Sequence, residues 1–214
     1  MSKDRCRRLF LVIISCAVVF LPGFVGGGLA RAEPGLYKVD PKQSGFLVNT
    51  GVSGLFKKFG RALTVEVREY SGEIRFSPTE PSASSVKIES KSHSLALKSE
   101  ATEQDRMNIE MRMHEKVLQS EKFPEISYVS DKVQLWKMGD NRYDVEVLGK
   151  LTLHGVTRSL PLRASLQLRG GRLEATGEAS LSQKEFDIKP YAYEGGALRV
   201  ADEVKVSFNI VAIR

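Results

Sequence analysis

A mainly β chain closed into an extended antiparallel barrel, with one inserted α-helix, is the fold this sequence predicts, and three observations predict it. Beyond residue 33 apolar and polar side chains alternate at period two, the spacing that sends successive side chains to opposite faces of a sheet. Turn-forming glycines and short polar clusters cut that alternation into many short segments. One interval, about 100–119, breaks that period: it has no Gly or Pro and carries apolar residues at helical steps.

Taken in order, the chain opens with Lys3, Arg5, Arg7 and Arg8, an apolar run from Leu9 to Leu21, and then Ala30-Arg31-Ala32. This is the pattern of a secretory signal peptide cleaved after Ala32, which leaves 33–214 as one domain and places it in the periplasm or otherwise outside the cell. The run is shorter than the ~20 residues that cross a bilayer as a helix, so an uncleaved anchor is the weaker alternative. Lipidation at Cys16 is another, because Ile13-Ile14-Ser15-Cys16 loosely resembles a lipobox, although the apolar run continues past that cysteine. Both cysteines, Cys6 and Cys16, leave with the signal, so the mature domain has neither disulfide nor thiol and must be held by its core. Five basic residues against Asp4 also leave, taking +4 of the +6 net charge. Nucleic-acid binding thereby loses its electrostatic support. Lys57, Lys58 and Arg61 are the compact basic cluster that stays, read as a solvated loop face or as a transient contact with anionic lipid headgroups.

Leu63, Val65 and Val67 alternate with Thr64, Glu66 and Arg68, and Glu73-Ile74-Arg75-Phe76 repeats the pattern after Tyr70-Ser71-Gly72; together they read as a hairpin. Val86 and Ile88, then Ile126 and Tyr128, Val133 and Leu135, Val145 and Val147, and Leu151 and Leu153 continue the alternation. Between them, Met107, Met111, His114 and Leu118 fall at steps of one helical face, with Thr102 as a cap and Pro124 as a stop. That helix covers part of the sheet. Gly149 to Leu162 reads as strand, tight Gly-containing turn, strand; Gly170-Gly171 permits a second tight turn. The last strand carries Val204, Val206, Phe208 and Ile210 inward, with Lys205, Ser207 and Asn209 facing water.

Strands of this kind close into a barrel, which abolishes exposed edges, and a barrel of about eight strands has room for one small ligand. An inward face this apolar would favour an apolar guest. The same residues would equally fill a packed core, and spacing does not separate the two.

Several segments in order resemble one family. Tyr37-Lys38-Val39-Asp40 with Ser44-Gly45-Phe46, Ser71 to Phe76, Lys122-Phe123-Pro124-Glu125-Ile126, the run Gly149-Lys150-Leu151-Thr152-Leu153-His154-Gly155-Val156-Thr157-Arg158, Ser182 to Ile188, and Val200-Ala201-Asp202-Glu203-Val204 resemble the signature segments of the YceI-like family of secreted bacterial proteins. The resemblance implies a lipocalin-like barrel that binds a long polyisoprenoid or quinone-like lipid and needs no cofactor, and it raises the expectation of a homodimer. The wall expected to meet the lipid is Phe46, Val48, Val65, Phe76, Ile126, Tyr128, Leu153, Phe186, Tyr191 and Phe208. Three positions depart from the pattern: Gln43 stands where many members have His, an Arg common before the F-G-I step is absent, and Asp187 replaces its Gly. These departures bear on the polar details of the pocket mouth. The rival reading is a ligand-free structural or stress-related interaction protein whose barrel is filled.

Enzyme signatures are missing: neither G-x-S-x-G, G-x-G-x-x-G nor G-K-[ST] occurs in the domain. His93, His114 and His154 lack the close spacing of a metal-binding pair, and His154 reads as a turn residue. Glu185, Asp187 and Glu194 read as solvated strand-end carboxylates. Phe186, Tyr191 and Tyr193 near Pro190 and Gly195-Gly196 form either a flap over the barrel mouth or a loop packed by its rings, and Trp136 precedes a turn at Gly139-Asp140-Asn141.

Overall fold

The computed structural model describes residues 33–54, 60–193 and 198–214. The expected signal peptide, Cys16, Lys57, Lys58, Glu194 and Gly195-Gly196 lie outside those residues. Among the described residues thirteen strand segments build a closed, antiparallel barrel of eight staves, three of which are broken once along their length. β1 (Gly35–Val39) and β2 (Gly45–Ser53) share the first stave, β3 (Thr64–Val67) and β4 (Tyr70–Phe76) the second, and β5 (Ser85–Lys91) and β6 (Leu95–Leu97) the third. β7 (Glu125–Gly139), β8 (Arg142–Leu153), β10 (Leu162–Arg169), β11 (Arg172–Ser182) and β13 (Leu198–Ile213) are the remaining five. β9 (Val156–Ser159) folds back on β8, and β12 (Ala192–Tyr193) pairs with β13. The wall closes where β13 pairs with β2 and, lower down, with β1. Each stave lies beside its neighbour in sequence, so the barrel is a simple meander whose pairing leaves few free edges.

Period-two patterning accounts for the wall. On β13 Val204 and Ile210 are buried while Lys205 and Asn209 are exposed, as the alternation requires. Both two-residue turns marked by glycine are tight reversals with positive φ, at His154 (53°) and Gly155 (74°) and at Gly170 (51°) and Gly171 (81°).

The expected hairpin of Leu63–Val67 with Glu73–Phe76 does not form. β3 pairs with β2 and β6, and β4 pairs with β1 and β5. The two segments are one stave, kinked at Arg68-Glu69, and the inward parity changes there from odd positions (Val65) to even ones (Ile74, Phe76). The facing stave breaks at the same level, where Ser92–Ser94 makes one 3₁₀ turn. Arg68 N donates to Ser94 O, Glu69 N to Ser94 Oγ and Lys91 N to Glu69 O, so the paired break keeps its backbone groups satisfied. Gly72 is therefore a strand residue: a Cβ there would lie 2.4 Å from Ile88 Cδ1.

The helix also departs from its expected face. α1 (Glu103–Arg112) is capped by Thr102, whose Oγ1 accepts from Asp105 N, and it runs on into a π-turn at Met113–Val117 closed by Leu118 N donating to Met113 O. One extra residue per turn rotates everything beyond it by roughly 100° relative to a regular helix. Met107 and Met111 consequently face solvent, 58% and 49% exposed, whereas Leu118 is buried and His114 points inward to Leu95 O. No α1 residue is fully buried. The helix is tied to the barrel by side chains on the β6 backbone: Glu110 Oε1 accepts from Leu97 N (2.8 Å), Arg106 donates to Leu97 O, and His114 Nε2 donates to Leu95 O (3.0 Å).

Apolar packing divides the barrel lengthwise. One cluster, including Tyr37, Phe76, Tyr143, Leu166 and Leu173, fills the end where β1 meets β13. There Phe76 and Tyr143 pack edge to face at 5.4 Å. A second cluster, including Val65, Leu118, Leu181, Phe186 and Ile188, lines the other end without filling it.

Candidate functional site

The unfilled half encloses a cavity of about 340 Å³, partly open to solvent, within the 300–1,000 Å³ range of small-molecule sites. A void this large far exceeds a packing defect, so the filled-barrel alternative gives way: only the lower half of the barrel is packed. Its wall is almost wholly apolar, and Tyr128, Tyr70 and Gln183 in it turn their polar atoms elsewhere. Tyr128 Oη is shared between Val147 O (3.1 Å) and Leu160 O (3.0 Å), and Tyr70 Oη donates to Ser44 O (2.6 Å), which leaves their rings as wall. Burial, and secondarily the charge of Asp131, push the Tyr128 hydroxyl well above the ordinary tyrosine range. Gln183 Nε2 donates to Ala201 O at 2.8 Å. A cavity so lined offers little to a polar guest, since any hydrogen bond the guest surrendered on entry would go unreplaced.

Phe46, Val48, Val65, Ile126, Tyr128, Leu153, Tyr191 and Phe208 stand in the cavity wall. Phe76 and Phe186 do not. Phe76 belongs to the packed lower end, because β4 runs downward from Tyr70 and carries it past the cavity floor. Phe186 is 2% exposed and sits behind the wall in a 3₁₀ turn (Gln183–Phe186), its ring in the core and its carbonyl held by His154 Nδ1 at 3.1 Å. Phe186 is therefore a fixed core residue at the root of this segment. The sequence reading missed Ile109, Arg112 and Met113, which enter the wall from a face of the helix other than the Met107–Met111 stripe, and Ala179 and Leu181 of β11, where small residues such as Ala179 weaken the alternation. Trp136 lies on the outer face near the β7–β8 turn, half exposed. Among the described residues no three His, Cys, Asp or Glu side chains gather as a metal site.

A YceI-like domain model matches residues 37–212. The chain belongs to the YceI-like family. No curated relative matches it. Among solved structures it is similar to BcnA of Burkholderia cenocepacia, at 19% identity and TM-score 0.62 over 81% of this chain and 98% of that one. A polyisoprenoid binding domain from Saccharophagus degradans, implicated in plant cell wall breakdown, superposes at 13% identity and TM-score 0.58, covering 83% and 97% of the two chains. The YceI protein of Campylobacter jejuni does so at 12% and 0.54, covering 70% and 84%. At these identities the likeness is one of fold.

Three of the YceI-like segments that are scattered in sequence, Gly149 to Arg158, Ser182 to Ile188 and Val200 to Val204, meet around the upper, hollow end. Asp202 Oδ2 accepts from Ser182 Oγ (2.9 Å) and its Oδ1 from Lys184 N (3.0 Å), so the Val200–Val204 segment holds the turn of the Ser182–Ile188 segment. Burial raises the Asp202 carboxyl, but these hydrogen bonds outweigh it and leave a net lowering. His154 joins the same turn through Phe186 O and packs on Phe123 at 4.2 Å, with its Nε2 buried and unpartnered. These signature residues shape the cavity's upper wall rather than face a guest. Two departures from the pattern also find physical reasons. Asp187 adopts a left-handed conformation (φ 55°), the geometry in which glycine is cheapest and Asp is among the tolerated alternatives. Gln43 lies at the packed end, donating to Asp40 Oδ2 and accepting from Arg172 Nη1 (2.6 Å), so its departure does not touch the cavity mouth.

Proposed function

We propose that this barrel binds one long apolar isoprenoid, of polyprenyl or quinone type, by noncovalent burial of its tail, and carries or sequesters it in the bacterial envelope. The observation that carries the reading is the apolar cavity of about 340 Å³, in which Tyr128, Tyr70 and Gln183 are already bonded elsewhere. The polyisoprenoid-binding domain of Saccharophagus degradans, similar in fold, supports the same class of guest. No bond is made or broken and no resident cofactor is needed. At about 0.3 kcal/mol per buried heavy atom, each five-carbon unit contributes about 1.5 kcal/mol, close to one tenfold step in Kd. The basic, apolar N-terminal segment supports export, with 33–214 as the mature domain, and the resemblance supports a homodimer that meets the membrane surface to exchange its cargo. Native mass spectrometry with organic extraction tests this. Protein purified from the envelope is expected to retain a stoichiometric isoprenoid; an apo mass that also fails to bind added polyprenyl and quinone lipids overturns the proposal.

A further inference from the structure

The cavity wall contains one full charge that nothing in the described structure neutralises. Arg112, the last residue of α1, is half-buried in the wall beside Ile109 and Met113. Its guanidinium lies over the Tyr191 ring, Cζ 5.6 Å from the centroid, and among the described residues it makes no hydrogen bond and no ion pair. Other charged residues of the same helix are partnered: Arg106 donates to Leu97 O and meets Glu103, and Glu110 accepts from Leu97 N. Position at the helix C-terminus favours a cation by a modest amount, and stacking on Tyr191 holds the plane of the guanidinium. Neither uses its in-plane N–H donors, a fork whose geometry matches the oxygens of a carboxylate or phosphate.

We propose that Arg112 is the residue that selects the head of the bound lipid, and that the head it selects is an anionic phosphate rather than a neutral quinone or alcohol. This rests on the lipid-binding reading above and adds the chemistry of the polar end. A tail lying along Val65, Leu181 and Phe208 places its head at the end of the cavity where Arg112 and Tyr191 stand. A neutral head would leave the guanidinium without a counter-charge in a wall of low polarity, whereas a phosphate both neutralises it and accepts its donors. Tyr191 acts as a positioning residue: by stacking on the face, it turns the donor edge toward the head.

The test compares a polyprenyl monophosphate with the free polyprenol of the same chain length, on purified wild type, Arg112→Gln and Arg112→Lys. Wild type is expected to favour the phosphate by roughly ten- to hundredfold, and to lose part of that preference as salt is raised. Arg112→Gln should bind the two lipids with equal affinity, and Arg112→Lys should keep an intermediate preference. Equal binding of both lipids by wild type, or a preference retained in Arg112→Gln, overturns the anchor and leaves the lipid reading standing. Failure of both lipids to bind overturns both. Inorganic phosphate is run alone: Arg112-dependent binding at comparable affinity would assign the site to the free ion and overturn the lipid-head assignment.

Discussion

Val65→Phe separates a hollow barrel from a filled one. Val65 stands on β3 in the cavity wall, 6% exposed, opposite Val48 of β2 and Leu97 of β6. Phenylalanine adds four carbons at that point. In a packed interior the addition would force neighbours apart and cost about 1–3 kcal/mol. In a cavity of about 340 Å³ the ring instead enters empty space. Four more buried carbons are worth at most about 3 kcal/mol at ~0.8 kcal/mol each. Ordering the ring against an imperfect wall leaves about 1 kcal/mol of that, a rise of roughly 2–4 °C in Tm for a domain of this size. The same four carbons occupy nearly one isoprene unit of tail, so affinity for a polyprenyl lipid should fall about tenfold. Circular dichroism melts of the ligand-free protein and calorimetric titration with the lipid measure the two effects. A Tm lowered by the equivalent of 1–3 kcal/mol, with Kd unchanged, would refute the reasoning, because it would mean that the interior at Val65 is already full.

Other consequences are open to measurement. A series of polyprenyl lipids of increasing length should bind about tenfold tighter per added unit until the tail outgrows the cavity, then level off; a flat series would place the tail outside the barrel. Gly149→Ala would set a Cβ 2.6 Å from both Tyr128 Oη and Val129 O, and is expected to cost about 2–4 kcal/mol in urea unfolding by displacing a buried hydroxyl from its carbonyls. Because burial raises the Tyr128 hydroxyl in the folded state, its contribution to stability is fully present below the ordinary tyrosine value of about 10 and is lost as pH climbs beyond it toward the folded value. Phenolate absorbance should therefore lag in wild type behind the unfolded chain near that pH, with Tyr70, which burial also raises, contributing, and the lag should shrink in Tyr128→Phe.

The barrel was legible because its signal is local and repeated: on β13 alone, Val204, Val206, Phe208 and Ile210 reveal the inward face with no knowledge of partners. Which strand pairs with which was less so. The Arg68-Glu69 kink looks in sequence like the end of one strand and the approach to a turn, because a reset of parity and a reversal leave the same trace; the difference lies in Ser92–Ser94, a break in the neighbouring stave that only the pairing reveals. The helix was visible but its facing was not, since Met107, Met111, His114 and Leu118 form one stripe only if every turn has the same pitch, and the Met113–Val117 turn does not. The cavity itself is invisible to patterning. Val65 and Phe76 carry the same inward signal, yet one meets empty space and the other meets Tyr143. Arg112 escaped because a charged residue on a helix ordinarily reads as solvent-facing.

The way α1 is fastened has a consequence for timing. It shares no ladder with the barrel, contributes no fully buried side chain, and is held to β6 by the side chains of Glu110, Arg106 and His114 on the backbone of Leu97 and Leu95. Each such bond is worth about 1 kcal/mol net, whereas parting any two staves would break a whole row of them. Excursions of the helix and collapse of the barrel thus belong to separate energy scales, so the part of the cavity wall that Ile109 and Arg112 supply can part from the staves while their ladders stay intact.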